Sequence, residues 1–493
     1  MAKTESFDTF TKKWIEYVKK ADQTIKEEDW NLFFAQTNPV AGIDRGALVD
    51  SYTDNKGNKI QANERLTIKK NWRNISQKFS ELYELKGDEE IKKALKEIKK
   101  YIIETIKENG GQRKPDVATN RILVTLYPKK LLSIPGTDDV IKLAGLLGKS
   151  VENKDWIDLC FEIKPILDNN YPNMMHWGAY LQLVQENNLT KNYNLILTGA
   201  PGTGKTYLAR QMAANLIKCK IADLDKHPQF GFVQFHPSYD YTDFVEGLRP
   251  NRNGSFERHD GIFKDFCKKA ALAERVDKDS DNKRKFVFVI DEINRGEISK
   301  VFGELFFSID PGYREEKDRI PVRTQYQNII DDDKSLTVDN YPFKNGFYVP
   351  SNVYVIGTMN DIDRSVESMD FAFRRRFSFY EVTAKETQYT ILKDCSLMTE
   401  AIQKMNSLNK AIEDIEGLSP AYHIGAAYLK KINLYENERD CWNSLWNNHI
   451  KGLLYEYLRG LPPKDIEKKL KELKKVYDGP VKKDTNEPSP EQQ

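Results

Sequence analysis

The stretch that decides the fold is "NLILTGAPGTGKTYLARQMAANLI", residues 194–217. Within it, "GAPGTGKT" (199–206) has the spacing G-x-x-x-x-G-K-[ST], and it lies between a short apolar strand and a helix, as that motif requires. Glycines in such a loop let backbone N–H groups point at phosphate oxygens, and the following helix adds its positive N-terminal end. We therefore predict a nucleotide phosphate site here.

The predicted phosphate contacts include the whole loop and the residue after it. Lys205 is expected to reach the β- and γ-phosphates, and the Thr206 hydroxyl to hold Mg²⁺. The alternative is a glycine-rich turn without a ligand, which does not account for the strand and the helix on its two sides. The predicted nucleotide-binding residues are Gly199, Ala200, Pro201, Gly202, Thr203, Gly204, Lys205, Thr206 and Tyr207.

A second signal is "FVFVIDEINR", residues 286–295, in which an apolar strand ends at two carboxylates. The carboxyl ends of strands are where α/β sheets bind ligands. Asp291 is predicted to orient Mg²⁺ and Glu292 to polarise the attacking water, although an acidic pair at a strand end is often only a helix cap. Arg295 follows at once and is placed to face a neighbouring subunit.

A third signal is "VIGTMNDIDRSVESMDFAFRRRF", residues 355–377. Asn360 ends a buried strand, where an asparagine is often a turn former; beside the other two motifs we predict that its amide meets the γ-phosphate or the attacking water. The triplet Arg374–Arg376 cannot all serve its own site, because consecutive helical side chains point in different directions. An arginine given to a neighbour's γ-phosphate implies a ring, and the alternative is a solvated or acid-paired basic cluster.

Around these motifs the chain alternates short apolar strands with helices. We predict strands at 194–200, 230–236, 285–292 and 352–360, parallel and covered by helices on both faces. Helical patterns dominate 1–110, with a stripe of Phe7, Phe10, Trp14 and Tyr17, and a strand is predicted at 120–128. The predicted segments are an N-terminal recognition domain with its connector (1–150), an α/β nucleotide-binding domain (151–385), a helical lid (386–478) and a disordered tail (479–493).

Composition excludes several classes of protein. Of 493 residues, 39% are hydrophobic and 30% charged, with a net charge of +2, which is ordinary for a soluble chain of about two to four domains. The five cysteines are far apart, which predicts neither disulfides nor zinc. The N-terminus lacks an apolar signal region and the chain lacks a membrane-spanning run, so a cytoplasmic location is expected. "RKPDVATNR" (113–121) does not make a nuclease site, so DNA cleavage is not expected from this chain.

In the order of these motifs the chain resembles AAA+ proteins, and more narrowly the McrB family of modification-dependent restriction systems. The stretches that carry this resemblance are "VQFHPSYDYTDFVEGLRP" (233–250), "DGIFKDFCKKA" (260–270), "DEINRGEISKVFGELF" (291–306) and "MNDIDRSVESMDFAFRRRF" (359–377). Residues 126–148, 421–429 and 453–460 match more weakly. The fold class implied is an α/β AAA+ P-loop motor with a C-terminal α-helical lid, preceded by a mixed, mostly α recognition domain.

The resemblance also implies function. Such proteins prefer GTP (ATP is the alternative) with Mg²⁺, form hexameric rings, and drive a separate McrC-type endonuclease that acts on the Met-Asn-x-x-Asp loop. By position, Asn360 and Asp363 are the pair sensitive to the partner, and Arg375 and Arg376 are the candidate finger and sensor. This chain has Asp361-Ile362 where the family usually has Thr-Ala, and the extra carboxylate is expected to alter the basal rate or the coupling to the partner.

In this family the N-terminal slot holds a variable reader of DNA, often of modified cytosine. "RLTIKKNWRNISQKF" (65–79) interleaves basic and aromatic residues, which suits phosphate contact and base stacking. DNA contacts are predicted at Lys69, Lys70, Trp72 and Arg73. The alternative, favoured for most of the aromatics, is that they form the core of the small domain; the aromatic candidates are Trp30, Phe33, Phe34, Tyr52, Trp72, Phe79 and Tyr83.

Two other functions fit the same nucleotide motifs. One is an ATP-using remodeller of proteins, of the MoxR type. A strong preference for GTP over ATP would exclude this function. The other is a nucleotide-gated sensing scaffold in which hydrolysis serves only as slow timing. Loss of function on Glu292→Gln would argue against a pure scaffold.

Overall fold

The computed structural model describes residues 30–31, 33–34, 48–53, 56–113, 115–171, 176–280, 282–362 and 371–479. The chain divides into two compact units, Met1–Leu183 and Val184–Gln493. The predicted N-terminal stripe (Phe7 to Tyr17) and the tail from 480 onward lie outside the described residues. The predicted segment limits at 150, 385 and 478 stay a prediction. Among the described residues no helix is both long and apolar enough to cross a membrane.

The first unit is mostly helical, with one small hairpin. Strand β1 (Ser51–Thr53) pairs antiparallel with β2 (Lys59–Gln61). Its helices are α1 (Glu64–Lys70), α2 (Trp72–Glu84), α3 (Asp88–Glu108), α4 (Asp116–Leu126), α5 (Thr137–Leu146) and α6 (Trp156–Asn170), and α7 (His176–Asn192) crosses into the second unit. The apolar stripe of α3, from Ile91 to Ile106, is buried, and α3 packs against α1, α2, α4 and α6.

The predicted strand at 120–128 is wrong, because residues 120–126 belong to helix α4. Every residue of α4 from Ala118 to Leu126 is buried. A helix buried on all sides shows no amphipathic period, so its apolar run cannot be told from a buried strand by pattern alone. Pro115 immediately precedes the helix, a position where its missing N–H costs nothing.

The second unit is built on a parallel five-stranded sheet of order β4-β7-β8-β3-β9. The strands of this unit are β3 (Asn194–Thr198), β4 (Phe230–Gln234), β5 (Glu246–Pro250), β6 (Phe256–Asp260), β7 (Phe286–Asp291), β8 (Val353–Thr358) and β9 (Ser378–Glu381). β5 and β6 form a separate antiparallel hairpin. All four predicted core strands are present, and the predicted parallel sheet is confirmed.

Helices cover both faces of this sheet. They are α8 (Lys205–Ile217), α9 (Tyr241–Phe244), α10 (Ile262–Val276), α11 (Ile298–Phe302), α12 (Leu305–Ser308), α13 (Gln327–Asp332) and α14 (Phe371–Arg374). Alternate residues of one strand lie in different apolar clusters: Val353 and Val355 pack on one face, and Tyr354 and Ile356 on the other. Both faces of the sheet are therefore core, which explains why the strands are apolar throughout.

Sequence reasoning missed strand β9, the fifth strand of the sheet. It has only four residues with alternating exposure, and it pairs with β3 at the edge of the sheet. Beyond β9 the predicted helical lid is confirmed. Its helices are α15 (Ala384–Leu392), α16 (Met398–Glu413), α17 (Ala426–Lys430), α18 (Cys441–Leu445), α19 (Lys451–Tyr457) and α20 (Pro463–Asp478). They enclose an apolar cluster, here called the lid cluster, that includes Leu392, Met405, Leu429, Trp446 and Tyr477.

Candidate active site

The loop 199–206 joins β3 to α8 and has the backbone of a phosphate loop. Gly199, Gly202 and Gly204 have φ angles of 135°, 77° and 86°, a region that favours glycine. A Cβ on Gly199 would lie 2.5 Å from the carbonyl oxygen of Val382, just after β9, so this glycine also permits a close approach of two backbones. The loop opens directly onto the N-terminus of α8, where backbone N–H groups have no partner within the helix.

Lys205 is held by acceptors on both sides of the loop. Its Nζ donates to the carbonyl oxygens of Gly199 and Ala200 at 2.9 Å each, and to Asn360 Oδ1 at 2.8 Å. Burial lowers the pKa of Lys205 to about 8, while the carboxylates of Glu292, Asp361 and Asp291 act in the opposite direction. A buried ammonium that is fixed by carbonyl oxygens suits an anionic ligand, because each phosphate oxygen offers it further compensation.

The predicted metal residues meet at the ends of neighbouring elements. Asp291, the last residue of β7, accepts hydrogen bonds through Oδ1 from Thr206 Oγ1 at 2.6 Å and from Thr358 Oγ1 at 2.7 Å. A carboxylate beside the hydroxyl that follows the loop lysine is an all-oxygen set that fits Mg²⁺ and its water shell. Sequence reasoning missed Thr358, although a polar residue at the end of the apolar strand β8 was a usable signal.

Glu292 and Asn360 are joined directly. Asn360 Nδ2 donates to Glu292 Oε1 at 2.8 Å, and the Glu292 backbone N–H donates to Thr358 Oγ1 at 3.2 Å. Glu292 has a φ of 51°, a left-handed conformation that bulky residues seldom adopt. Since strain of this kind clusters at functional sites, the turn at Glu292 supports its assignment to the chemistry. Arg295 lies 3.3 Å from Glu292 across an Nε–Oε2 ion pair.

The loop after Asn360 continues towards the helical lid. Asp361 lies near Lys205 and the Gly199 amide; burial raises the pKa of its carboxyl and the Lys205 charge opposes that shift. Ile362 packs against the lid cluster. Asp363, the other predicted residue of the partner-sensitive pair, lies outside the described residues.

The arginine triplet is divided between the surface and the interior. Arg374 and Arg375 are exposed, with the Arg374 guanidinium 5.0 Å from the ring of Phe379. Arg376 is only 7% exposed; it lies 3.5 Å from Asp310 and over the ring of Phe306. The structure therefore holds Arg376 inside its own domain and leaves Arg375 accessible to another molecule. Their roles as finger and sensor stay a prediction.

The lid lies directly on the phosphate loop, a contact that the sequence did not reveal. The backbone N–H groups of Gly425 and Ala427 donate to the carbonyl oxygens of Pro201 and Gly202, both at 3.0 Å. A Cβ on Gly202 would lie 2.7 Å from the ring of Tyr428. Tyr207, which we predicted to contact the nucleotide, is 46% exposed on the first turn of α8.

The predicted DNA-binding residues of the first unit fall into two groups. Trp72 is 7% exposed, and its ring lies 5.3 Å from the rings of both Trp30 and Phe33. Lys69 Nζ lies 5.7 Å from the Phe34 ring, whereas Lys70 and Arg73 are exposed. The aromatic residues are thus mainly core, as the alternative interpretation held, and the exposed cations are available to solvent.

Together, the parallel sheet, the glycine loop and the convergent Lys205, Asp291 and Glu292 define a P-loop nucleotide-binding domain of the AAA class. Residues 194–377 match the family model described as "AAA domain (dynein-related subfamily)", and this region is an AAA domain. A match of 250 residues is 40% identical to the Type IV methyl-directed restriction enzyme EcoKMcrB subunit of Escherichia coli (strain K12), covering 49% of this chain and 48% of that protein. The resemblance to the McrB family is confirmed.

A second relative also comes from a restriction system. The Type II restriction enzyme BsuMI component YdiS of Bacillus subtilis (strain 168) is 31% identical over 209 residues, 38% of this chain and 56% of that protein. The chain thus spans about half the length of the curated relatives it matches. A solved structure of a putative ATPase from Cytophaga hutchinsonii is 12% identical, with a TM-score of 0.24 over 67% of this chain and 86% of that one, a likeness too weak to support any conclusion.

Proposed function

We propose that this chain is the nucleotide-hydrolysing motor of a restriction system, with GTP as its preferred nucleotide and ATP as the alternative. Its N-terminal unit would recognise DNA that carries a modification, and a separate endonuclease subunit of the McrC type would cut that DNA. Similarity to two restriction-system components supports this proposal. The observation that carries the hydrolytic part is the chain of contacts from Lys205 through Asn360 to Glu292, each link 2.8 Å.

The residues of the site divide the chemistry among themselves. Mg²⁺, when bound, would neutralise charge on the phosphates, and Thr206 and Asp291 are the residues placed to hold it. Lys205 binds the terminal phosphates as a fixed cation. Glu292 is the base that orients and deprotonates the attacking water. Asn360 is uncharged and satisfied on both sides, so it positions Glu292 without competing for the cation.

A neighbouring copy would complete the site. Arg375 is exposed and directly follows helix α14, away in sequence from the phosphate loop. Its exposure suits a residue that acts on another subunit. An arginine that arrives at the γ-phosphate stabilises charge in the transition state and is worth about 10³–10⁵ in rate where it has been measured in other enzymes. We therefore propose a homo-oligomeric ring with one active site at each interface. The resemblance to the McrB family favours a hexamer as the size of that ring.

The deciding experiment compares the hydrolysis of GTP and ATP, each with and without modified DNA and the endonuclease subunit. The proposal predicts GTP-specific turnover that rises when the partner is added. The Lys205→Ala variant, purified in the same way, measures any contaminating activity. A preference for ATP with indifference to the partner would favour a protein remodeller, and tight nucleotide binding with negligible turnover would favour a sensing scaffold.

A further inference from the structure

One loop connects the hydrolytic residues to the lid. Asn360 contacts Lys205 and Glu292, and Ile362 follows only two residues later. The Ile362 side chain, half-buried, packs against the lid cluster. Since two residues of extended chain span at most about 7 Å, the position of Ile362 limits where the Asn360 backbone can lie.

The lid cluster also touches the phosphate loop. Ile391 and Tyr428 pack on the cluster, as Ile362 does. A Cβ on Gly204 would lie 3.0 Å from Ile391 Cδ1, and one on Gly202 would lie 2.7 Å from the Tyr428 ring. The lid therefore meets the phosphate loop through two side chains and meets the loop of Asn360 through a third.

Backbone hydrogen bonds fix the position of the lid on the phosphate loop. Gly425 and Ala427 donate to Pro201 and Gly202 at 3.0 Å, so the lid has a defined seat on the phosphate loop. Close-packed protein interiors transmit strain, because a shift of one side chain displaces its neighbours. A lid that leaves its seat must either carry Ile362 with it or lose the contact.

We propose that Ile362 is a positioning residue that couples the seating of the lid to the placement of Asn360 between Lys205 and Glu292. With the lid seated, Ile362 fixes the loop and Asn360 holds Glu292 in the geometry that activates water. With the lid displaced, nucleotide remains bound through Lys205 and the phosphate loop, but Asn360 is no longer fixed. This inference rests on the proposed hydrolysis at this site and adds a route by which the lid controls its rate.

The test compares Ile362→Ala with a matched control on the same cluster. Leu453→Ala removes a half-buried aliphatic side chain that also packs on the lid cluster but belongs to α19, apart from the phosphate loop. The measurements are kcat for the nucleotide that the wild type hydrolyses, Kd for its non-hydrolysable analogue, and amide hydrogen exchange at 359–362 and 425–428.

We expect Ile362→Ala to lower kcat about ten- to a hundredfold, the size expected when a catalytic group is misplaced by about 1 Å, with Kd changed less than about twofold. Exchange should rise together at 359–362 and 425–428. Leu453→Ala should leave kcat within about twofold, and Ile362→Val, which keeps a branched apolar contact, should recover most of the loss.

Equal kcat values for Ile362→Ala and Leu453→Ala would overturn the coupling, as would a loss that lies entirely in Kd. If the wild type hydrolyses neither GTP nor ATP, the proposed function fails, and the exchange data still decide the coupling. Exchange that rises at 359–362 alone would then show that the loop moves independently of the lid, which would also overturn the inference.

Discussion

The two compact units place their functional candidates in opposite environments. In the second unit, polar side chains from β7, β8 and the phosphate loop converge, with Asp291, Asn360 and Lys205 each satisfied by partners from other elements. In the first unit, the aromatic candidate Trp72 is inside the core, and the cations beside it face solvent. When the ends of parallel strands set the geometry of a site, its motif predicts the site from sequence. A mixture of basic and aromatic residues does not predict a DNA-binding surface, because aromatic residues also form the core.

The largest effect is expected from Glu292→Gln. If the convergent polar groups carry the chemistry, this change removes the base and lowers hydrolysis by about 10²–10⁴-fold while nucleotide binding persists. Steady-state hydrolysis and binding of a fluorescent nucleotide measure the two properties separately. Glu467→Gln, at an exposed position on α20, is the control and should keep full activity. A fall in hydrolysis of less than about tenfold would show that Glu292 is not the catalytic base.

Trp72→Ala tests whether the aromatic candidates of the first unit are core residues. Removing a buried tryptophan from a packed aromatic group costs about 3–5 kcal/mol, so the first unit should unfold at a lower denaturant concentration. Nucleotide hydrolysis without DNA should not change. Denaturant titration followed by tryptophan fluorescence measures stability, and hydrolysis assays are run beside it. Lys107→Ala, at an exposed position on α3, is the surface control. An unchanged stability with loss of DNA binding would make Trp72 a base-stacking residue instead of a core residue.

The pH dependence of binding probes the buried ammonium of Lys205. Its pKa of about 8 means that the free protein carries this charge below that pH and loses it above. Phosphate binding favours the charged form, so affinity should fall above pH 8 by up to about tenfold per pH unit, with uptake of a proton on binding. Calorimetry in buffers of different ionisation enthalpy measures that uptake. Affinity that is flat from pH 7 to 9.5 would show that Lys205 stays charged throughout.

The smallest effect is expected at the exposed cations of the first unit. If Lys70 and Arg73 contact DNA phosphates, the double change to alanine should weaken DNA binding a few-fold and reduce the salt slope of log K by about 2. Hydrolysis without DNA should stay the same. Fluorescence anisotropy at several salt concentrations gives the slope, and a double change of Lys468 and Lys471 on α20 to alanine is the control. An unchanged slope would remove these residues from the DNA surface.

The sequence predicted correctly those features whose geometry follows from chain topology. It did not predict features that depend on packing alone. Lys205, Asp291 and Asn360 come together because parallel strands bring their carboxyl ends to one edge of the sheet. The helix at Asp116–Leu126 was mistaken for a strand, because burial on all sides removes the period that distinguishes the two. The contact of Gly425 with Pro201 joins backbone atoms across more than two hundred residues, and no side-chain pattern records a contact of that kind.

The close approach of Gly202 and Gly425 limits which lids from other proteins could replace the lid of this chain. A Cβ on Gly425 would lie 2.1 Å from the carbonyl carbon of Gly202, much closer than two non-bonded carbon atoms can come. A lid taken from another AAA domain would therefore fit this phosphate loop only if it brings a glycine to that position. A chimaera with any larger residue at that position would have to keep its lid apart from the nucleotide loop of this chain.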